Sequence, residues 1–178
     1  GSSQILKAMR RTYTRERYMD RVEMIREALP DCAITTDIIV GFPGESDRDF
    51  EQTLEVAEEE GYDGAFTFIY SPRRGTLAAE MEDQISHPVK KERMAALIEV
   101  VQRRALERSQ RFVGRSMEVL VEGPSRSDPT RIRGRIRHNK AVNFEGTAEP
   151  GQMVEVEIGS ASSQTLTGTQ RLLSGIGA

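Results

Sequence analysis

The chain has 178 residues, of which 37% are hydrophobic and 30% charged, and its formal net charge is -3. That length suits one medium domain or two small ones, and no apolar run approaches the about 18 residues needed to cross a bilayer, so a membrane partner is not expected. A single cysteine, Cys32, with two distant histidines, His87 and His138, excludes an internal disulfide framework and any iron–sulfur cluster or zinc site built from this chain alone, and fits a reducing cytoplasm.

Residues 1–112 alternate helical and strand patterns. Thr14 is placed to cap a helix on which Tyr18, Val22, Ile25 and Leu29 recur at helical spacing until Pro30 stops it. Residues 33–40 form a nearly continuous apolar run, the pattern of a buried parallel strand. Ser46 and Asp49 have the spacing of a capping box, Phe50, Leu54 and Ala57 mark one face of the helix that follows, and Gly61 ends it. Residues 64–70, GAFTFIY, read as a second buried strand. A polar loop follows, and then a long helix from near Pro88. Helix–strand–helix–strand–helix is the rhythm of parallel α/β architecture. Two strands cannot close a (β/α) barrel, which takes eight such units. This half therefore reads as part of a larger barrel, with open sheet edges through which it would self-associate.

From residue 113 the grammar changes. SMEVLVEG, RIRGRIRHN, AVNFEG, MVEVEIGSA and TLTGTQ are short strands separated by Gly, Pro, Ser and Asp signals. That spacing predicts a small antiparallel β-barrel over 113–178.

Two features carry candidate chemistry. Ligands of parallel α/β folds bind beyond the carboxyl ends of strands, and GFPGES and YSPRRGT stand at those ends. Together they suit a flat ligand held against backbone edges, although Gly-Phe-Pro-Gly is also ordinary turn chemistry. Asp37, polar in an apolar strand, reads as a buried carboxylate that is either a site residue or half of an ion pair. Arg73 and Arg74 either meet a phosphate or stay solvated.

The second feature is charge. Residues 1–112 hold 17 Lys/Arg against 21 Asp/Glu, whereas 126–140 hold Arg126, Arg131, Arg133, Arg135, Arg137 and Lys140 against Asp128 alone, a local charge of +5. Four arginines alternating by two would share one strand face, with Ile132 and Ile136 pointing inward. Such a face either meets a polyanion or is paired across the sheet with Glu118, Glu122 or Glu155. His138, Asn139 and Asn143 add hydrogen-bonding groups, and Phe144 is either a stacking ring or core.

TTDIIVGFPGES, FTFIYSPRRGTLAAEM and VLVEGPSRSDPTRIRGRIRHNKAVNFEG together resemble the radical-SAM methylthiotransferases, over nearly the whole chain. FTFIYSPR and RHNKAVNFEG favour the branch that modifies isopentenylated adenosine beside the tRNA anticodon. The resemblance implies a partial radical-SAM α/β barrel over 1–112 and an OB-like, RNA-binding TRAM domain over 113–178. It places Ile39, Val40, Gly41, Phe42 and Pro43 against the adenine of S-adenosylmethionine, with Phe68, Tyr70 and Ser71 in the same pocket. It likens Gly1-Ser2-Ser3 to the tail of a Gln-Ser-Gly-Ser element. It implies tRNA, through the anticodon stem-loop, as partner. It also implies two 4Fe-4S clusters, one splitting the cofactor to a radical that activates C2 of the adenine and one supplying sulfur. The Cys-x3-Cys-x2-Cys motif and three further cysteines those clusters need are absent from this sequence. The chain is thus expected to act with the remaining N-terminal part of a parent enzyme and to be inactive alone. The competing expectation is a free-standing RNA-binding module with an α/β scaffold.

Overall fold

The computed structural model describes residues 1–126 and 128–171. It divides into two compact units, Gly1–Arg104 and the residues from Ala105 onward.

The first unit contains α1 (Ser3–Ala8), α2 (Arg15–Ala28), β1 (Thr35–Val40), α3 (Asp47–Glu60), β2 (Gly64–Ile69), α4 (Leu77–Glu80) and the first turns of α5 (His87–Gln110). The expected caps form: Thr14 accepts from the Arg17 amide, and Ser46 with Asp49 closes a full capping box. Two short helices, α1 and α4, lie where the sequence patterns indicated none. β1 and β2 pair in parallel, with Asp37 opposite Phe66 and Ile39 opposite Phe68. Period-2 alternation gives this sheet two unlike faces. Val40, with Ile38 and Ile69, packs against Phe50 and Ala57 of α3 and Leu97 of α5. The other face carries Thr35, Asp37, Phe66 and Phe68, all exposed. Asp37 is therefore not the buried carboxylate its apolar neighbours suggested, because the strand is covered on one face only.

In the second unit β3 (Ser116–Pro124), β4 (Ile132–Ile136), β5 (Ala141–Glu145), β6 (Met153–Ala161) and β7 (Thr165–Gln170) close into a barrel of order β3-β4-β5-β7-β6. The barrel is antiparallel except between β5 and β7, which run parallel. Alternate residues fill it: Met117, Val119 and Val121 from β3, Val142 and Phe144 from β5, Val156 and Ile158 from β6, and Leu166 from β7, with Phe112 and Ile136. Burying each of these larger side chains contributes about 1.5–3 kcal/mol. The interior is tight enough to dictate glycine. A Cβ on Gly134, between the inward Ile132 and Ile136, would meet Val119 Cγ1 at 2.4 Å and the Leu120 carbonyl oxygen at 2.6 Å. Backbone cannot yield as a flexible side chain does, so Gly134→Ala is expected to destabilise the barrel by about 1–3 kcal/mol. Chemical denaturation followed on the barrel checks this, and an unchanged midpoint would refute the tight fit.

Candidate functional site

The loop after β1 is fixed from beneath. Gly41 has φ +74, and a Cβ there would lie 2.4 Å from Cγ of Lys90. Its amide donates to Glu45 Oε1 at 2.9 Å, so the chain turns back on itself within four residues. Glu45 is buried and is met by Arg93 of α5, whose Nη1 donates to Glu45 Oε1 at 2.8 Å and to the Glu45 carbonyl at 3.0 Å. Nη2 of Arg93 reaches Asp47 at 2.7 Å. Burial pushes the Glu45 carboxyl above its usual value, against the opposing pull of the Gly41 amide and the Arg93 charge. Removing one partner of such a buried pair costs about 3–5 kcal/mol, because the other is left uncompensated.

The loop after β2 is tied to the same helix. Lys90 Nζ donates to the Tyr70 carbonyl at 3.2 Å and lies 5.1 Å from the centre of the Tyr70 ring. The Tyr70 amide in turn donates to the Val40 carbonyl at 2.9 Å, and the Tyr70 ring meets Phe42 edge-on at 5.2 Å. Farther on, the Gly44 amide donates to the Asp83 carbonyl at 2.9 Å.

The eight residues that the family resemblance assigns to the cofactor fall into two groups. Ile39 and Phe68 sit opposite one another on the uncovered face of the sheet, and Ser71 is exposed. Val40, Gly41, Phe42 and Pro43 are buried and Tyr70 is half-buried, so these five support the loops. The fit to an adenine-bearing group is favourable: a glycine-shaped loop edge, two apolar side chains, and a Tyr70 hydroxyl that is buried without a hydrogen-bond partner. A cleft of about 260 Å3 runs along β1 beside α1 and α2, lined among others by Ser2, Asp37, Ile39, Tyr62 and Phe68. At its end the Ser2 hydroxyl donates to Asp49 Oδ1, while Ser46 donates to Oδ2 through both its amide and hydroxyl. Burial raises the Asp49 carboxyl, but these donors and the Arg93 charge outweigh it and hold it below its usual value. The sequence patterns did not single out Lys90 or Arg93.

The basic segment is less uniform than its spacing suggested. Only Arg133 and Arg135 lie within β4; Arg131 precedes it and Arg137 falls in the following turn. Glu122, in the β3 bulge between Val121 and Gly123, accepts from Arg133 Nε at 3.2 Å and Arg135 Nε at 2.8 Å. Arg135 also donates to the carbonyl and side-chain oxygens of Asn139, stapling a turn in which Asn139 has φ +59. Arg131 pairs with Asp128 and Glu145. Lys140 is buried and donates Nζ to the Ser163 carbonyl at 2.7 Å, so its ammonium serves the barrel. Phe144 is fully buried in the core and is not a stacking ring. His138 packs edge-on against Phe112 at 4.9 Å. Asn143 is half-buried opposite Arg133, with its Oδ1 unpartnered. Arg126 and Arg137 are exposed and make no ion pair among the described residues. Including Glu122 and Glu145 reduces the local charge from +5 to +3.

Residues 1–57 match the Radical SAM superfamily and residues 110–170 match the TRAM domain. The chain thus joins part of a radical-SAM fold to a closed TRAM barrel. A Clostridium novyi (strain NT) protein is 47% identical over 169 residues, which is 94% of this chain and 37% of that protein. A Geobacillus kaustophilus (strain HTA426) protein is 50% identical over 169 residues, 94% of this chain and 32% of its own length. Both are named tRNA-2-methylthio-N(6)-dimethylallyladenosine synthase, as is a Clostridium botulinum (strain Okra / Type B1) protein, 48% identical over 96% of this chain and 38% of its own. The chain belongs to the radical-SAM methylthiotransferases and corresponds to a C-terminal segment of them. It spans roughly a third of the length of these curated relatives.

The Glu122 carboxyl is held below its usual 4.5, first by the Arg135 hydrogen bond and then by Arg133. A lowered folded-state value stabilises the barrel above pH 4.5, and that contribution is lost as pH falls through the folded value. In an NMR titration Glu122 should ionise below 4.5 and move back toward it in Arg135→Ala. An unshifted midpoint would contradict the bridging geometry.

Proposed function

We propose that this chain is the C-terminal part of an enzyme that adds a methylthio group to C2 of N6-isopentenyladenosine next to the tRNA anticodon. It supplies one wall of the S-adenosylmethionine pocket and a grip on RNA. The cluster-bearing cysteines belong to the N-terminal remainder of that enzyme. The observation that carries this reading is the 47–50% identity over 94% of the chain to proteins bearing the synthase name.

Each side chain then has a physical role. Ile39 and Phe68 shield an adenine from water, while the Tyr70 hydroxyl offers a hydrogen bond to its rim. When bound, the cofactor supplies the radical chemistry and the methyl group. On the barrel, Arg126 and Arg137 carry the available charge, joined by Arg133, whose Nη groups have no partner among the described residues. These contacts go to phosphate and hold the RNA in register without reading its sequence. Separated from the rest of the enzyme, the chain is inactive and lives in the cytoplasm with its tRNA.

tRNA binding across a salt series tests the grip. Affinity should fall steeply with salt, and Arg137→Ala should weaken binding and flatten the log–log slope by about 1. Arg131→Ala, whose charge is already doubly paired, should change the slope less. Equal slopes for wild type and Arg137→Ala would move the grip elsewhere. The uncovered sheet face gives a second expectation: the isolated chain self-associates at high concentration through β1 and β2. Sedimentation should show Phe66→Ser/Phe68→Ser shifting it toward monomer, and a monomeric wild type at every concentration would refute this.

A further inference from the structure

Lys90 and Arg93 stand where cations are least expected. Both lie in the first two turns of α5, at the positive end of the helix dipole. Both are almost fully buried, at 7% and 6% exposure. Apolar side chains of similar volume usually attach a helix to a sheet at no loss of stability, and often with a gain. The cations differ in what they touch. Three residues apart, they share one helix face, and their bonds go to the two strand-end loops, not to the strands. Arg93 binds the side chain and carbonyl of Glu45 and the side chain of Asp47, and through Glu45 it fixes the Gly41 amide. Lys90 binds the Tyr70 carbonyl, while its stem fills the space a Gly41 side chain would need.

We propose that Lys90 and Arg93 form a two-point clamp that sets the separation of the loops at 41–45 and 70–71, and so preorganises the pocket edge for the adenine of S-adenosylmethionine. This rests on the cofactor reading given above. They are positioning residues: neither contacts the ligand, and each acts through a neighbour, Glu45 for Arg93 and Tyr70 for Lys90. A guanidinium is required at 93 because its planar fork holds Glu45 and Asp47 at once, which a lysine ammonium cannot reproduce. At 90 the charge is required and the stem alone is insufficient.

The test uses Arg93→Lys, which keeps the charge, and Lys90→Met, which keeps the stem, so that both variants fold. Amide hydrogen exchange on the 178-residue chain reads the loops, and equilibrium binding of S-adenosylmethionine to the cluster-loaded full-length enzyme reads the pocket. Exchange at Gly41 in Arg93→Lys, and at Tyr70 in Lys90→Met, should accelerate by about tenfold or more with Ile38 unchanged, and cofactor affinity should fall about tenfold in each. Unchanged exchange would overturn the clamp. Faster exchange with wild-type affinity would overturn its role in the pocket, leaving a purely structural tie. Failure of the wild-type enzyme to bind the cofactor would overturn the site reading itself, a result visible before any variant is made.

Discussion

A two-stranded parallel sheet has two faces, and here the chain covers one. α3 and α5 bury Val40 and its neighbours, while Phe66 and Phe68 stand 68% and 51% exposed on the other side. Burying a phenylalanine fully contributes about 1.5–3 kcal/mol, so an uncovered pair represents stability that further strands would supply. The uncovered face is also where Ile39 and Phe68 lie opposite each other. Structural incompleteness and the candidate cofactor wall are thus the same surface. The loops at its rim need rigid support because the sheet cannot give it, and that support comes from the helix behind them.

The second unit obeys a different constraint. Its five strands close on themselves, so every strand is paired on both sides and the core is complete within the barrel. Closure fixes which residues face out, and the outward arginines are then neutralised selectively. Glu122 bridges two, Asp128 and Glu145 hold a third, and the remaining charge stands at Arg126 and Arg137 with part of Arg133. A carboxylate between two guanidinium groups fixes the positions of Arg133 and Arg135 relative to β3, while Arg126 and Arg137 stay exposed.

Local signals in the sequence translated directly into structure. Thr14, and Ser46 with Asp49, act within a few residues and formed as expected. The change of periodicity near residue 113 pointed to two parts, and the chain divides between Arg104 and Ala105, inside α5. What was not legible depends on distant partners. Arg93 and Glu45 are 48 positions apart, and Lys90 and Tyr70 20, so nothing near either cation marked it as more than a helix surface charge. The arginine alternation read as one continuous face because the ends of β4 are set by turns on either side. That face was left either to a polyanion or to Glu118, Glu122 or Glu155, and Glu122, at the bulge between Val121 and Gly123, pairs with two of its arginines. The parallel β5–β7 pairing is a property of closure that no strand carries in its own residues.

The most direct test of the central claim is a chimera in which these 178 residues replace the matching segment of the Geobacillus kaustophilus relative, to which they are 50% identical. It would be expressed in cells lacking their own synthase, with the tRNA nucleosides read by mass spectrometry. The 2-methylthio form of isopentenyladenosine should be restored. A folded, cluster-loaded chimera that leaves only isopentenyladenosine would contradict it.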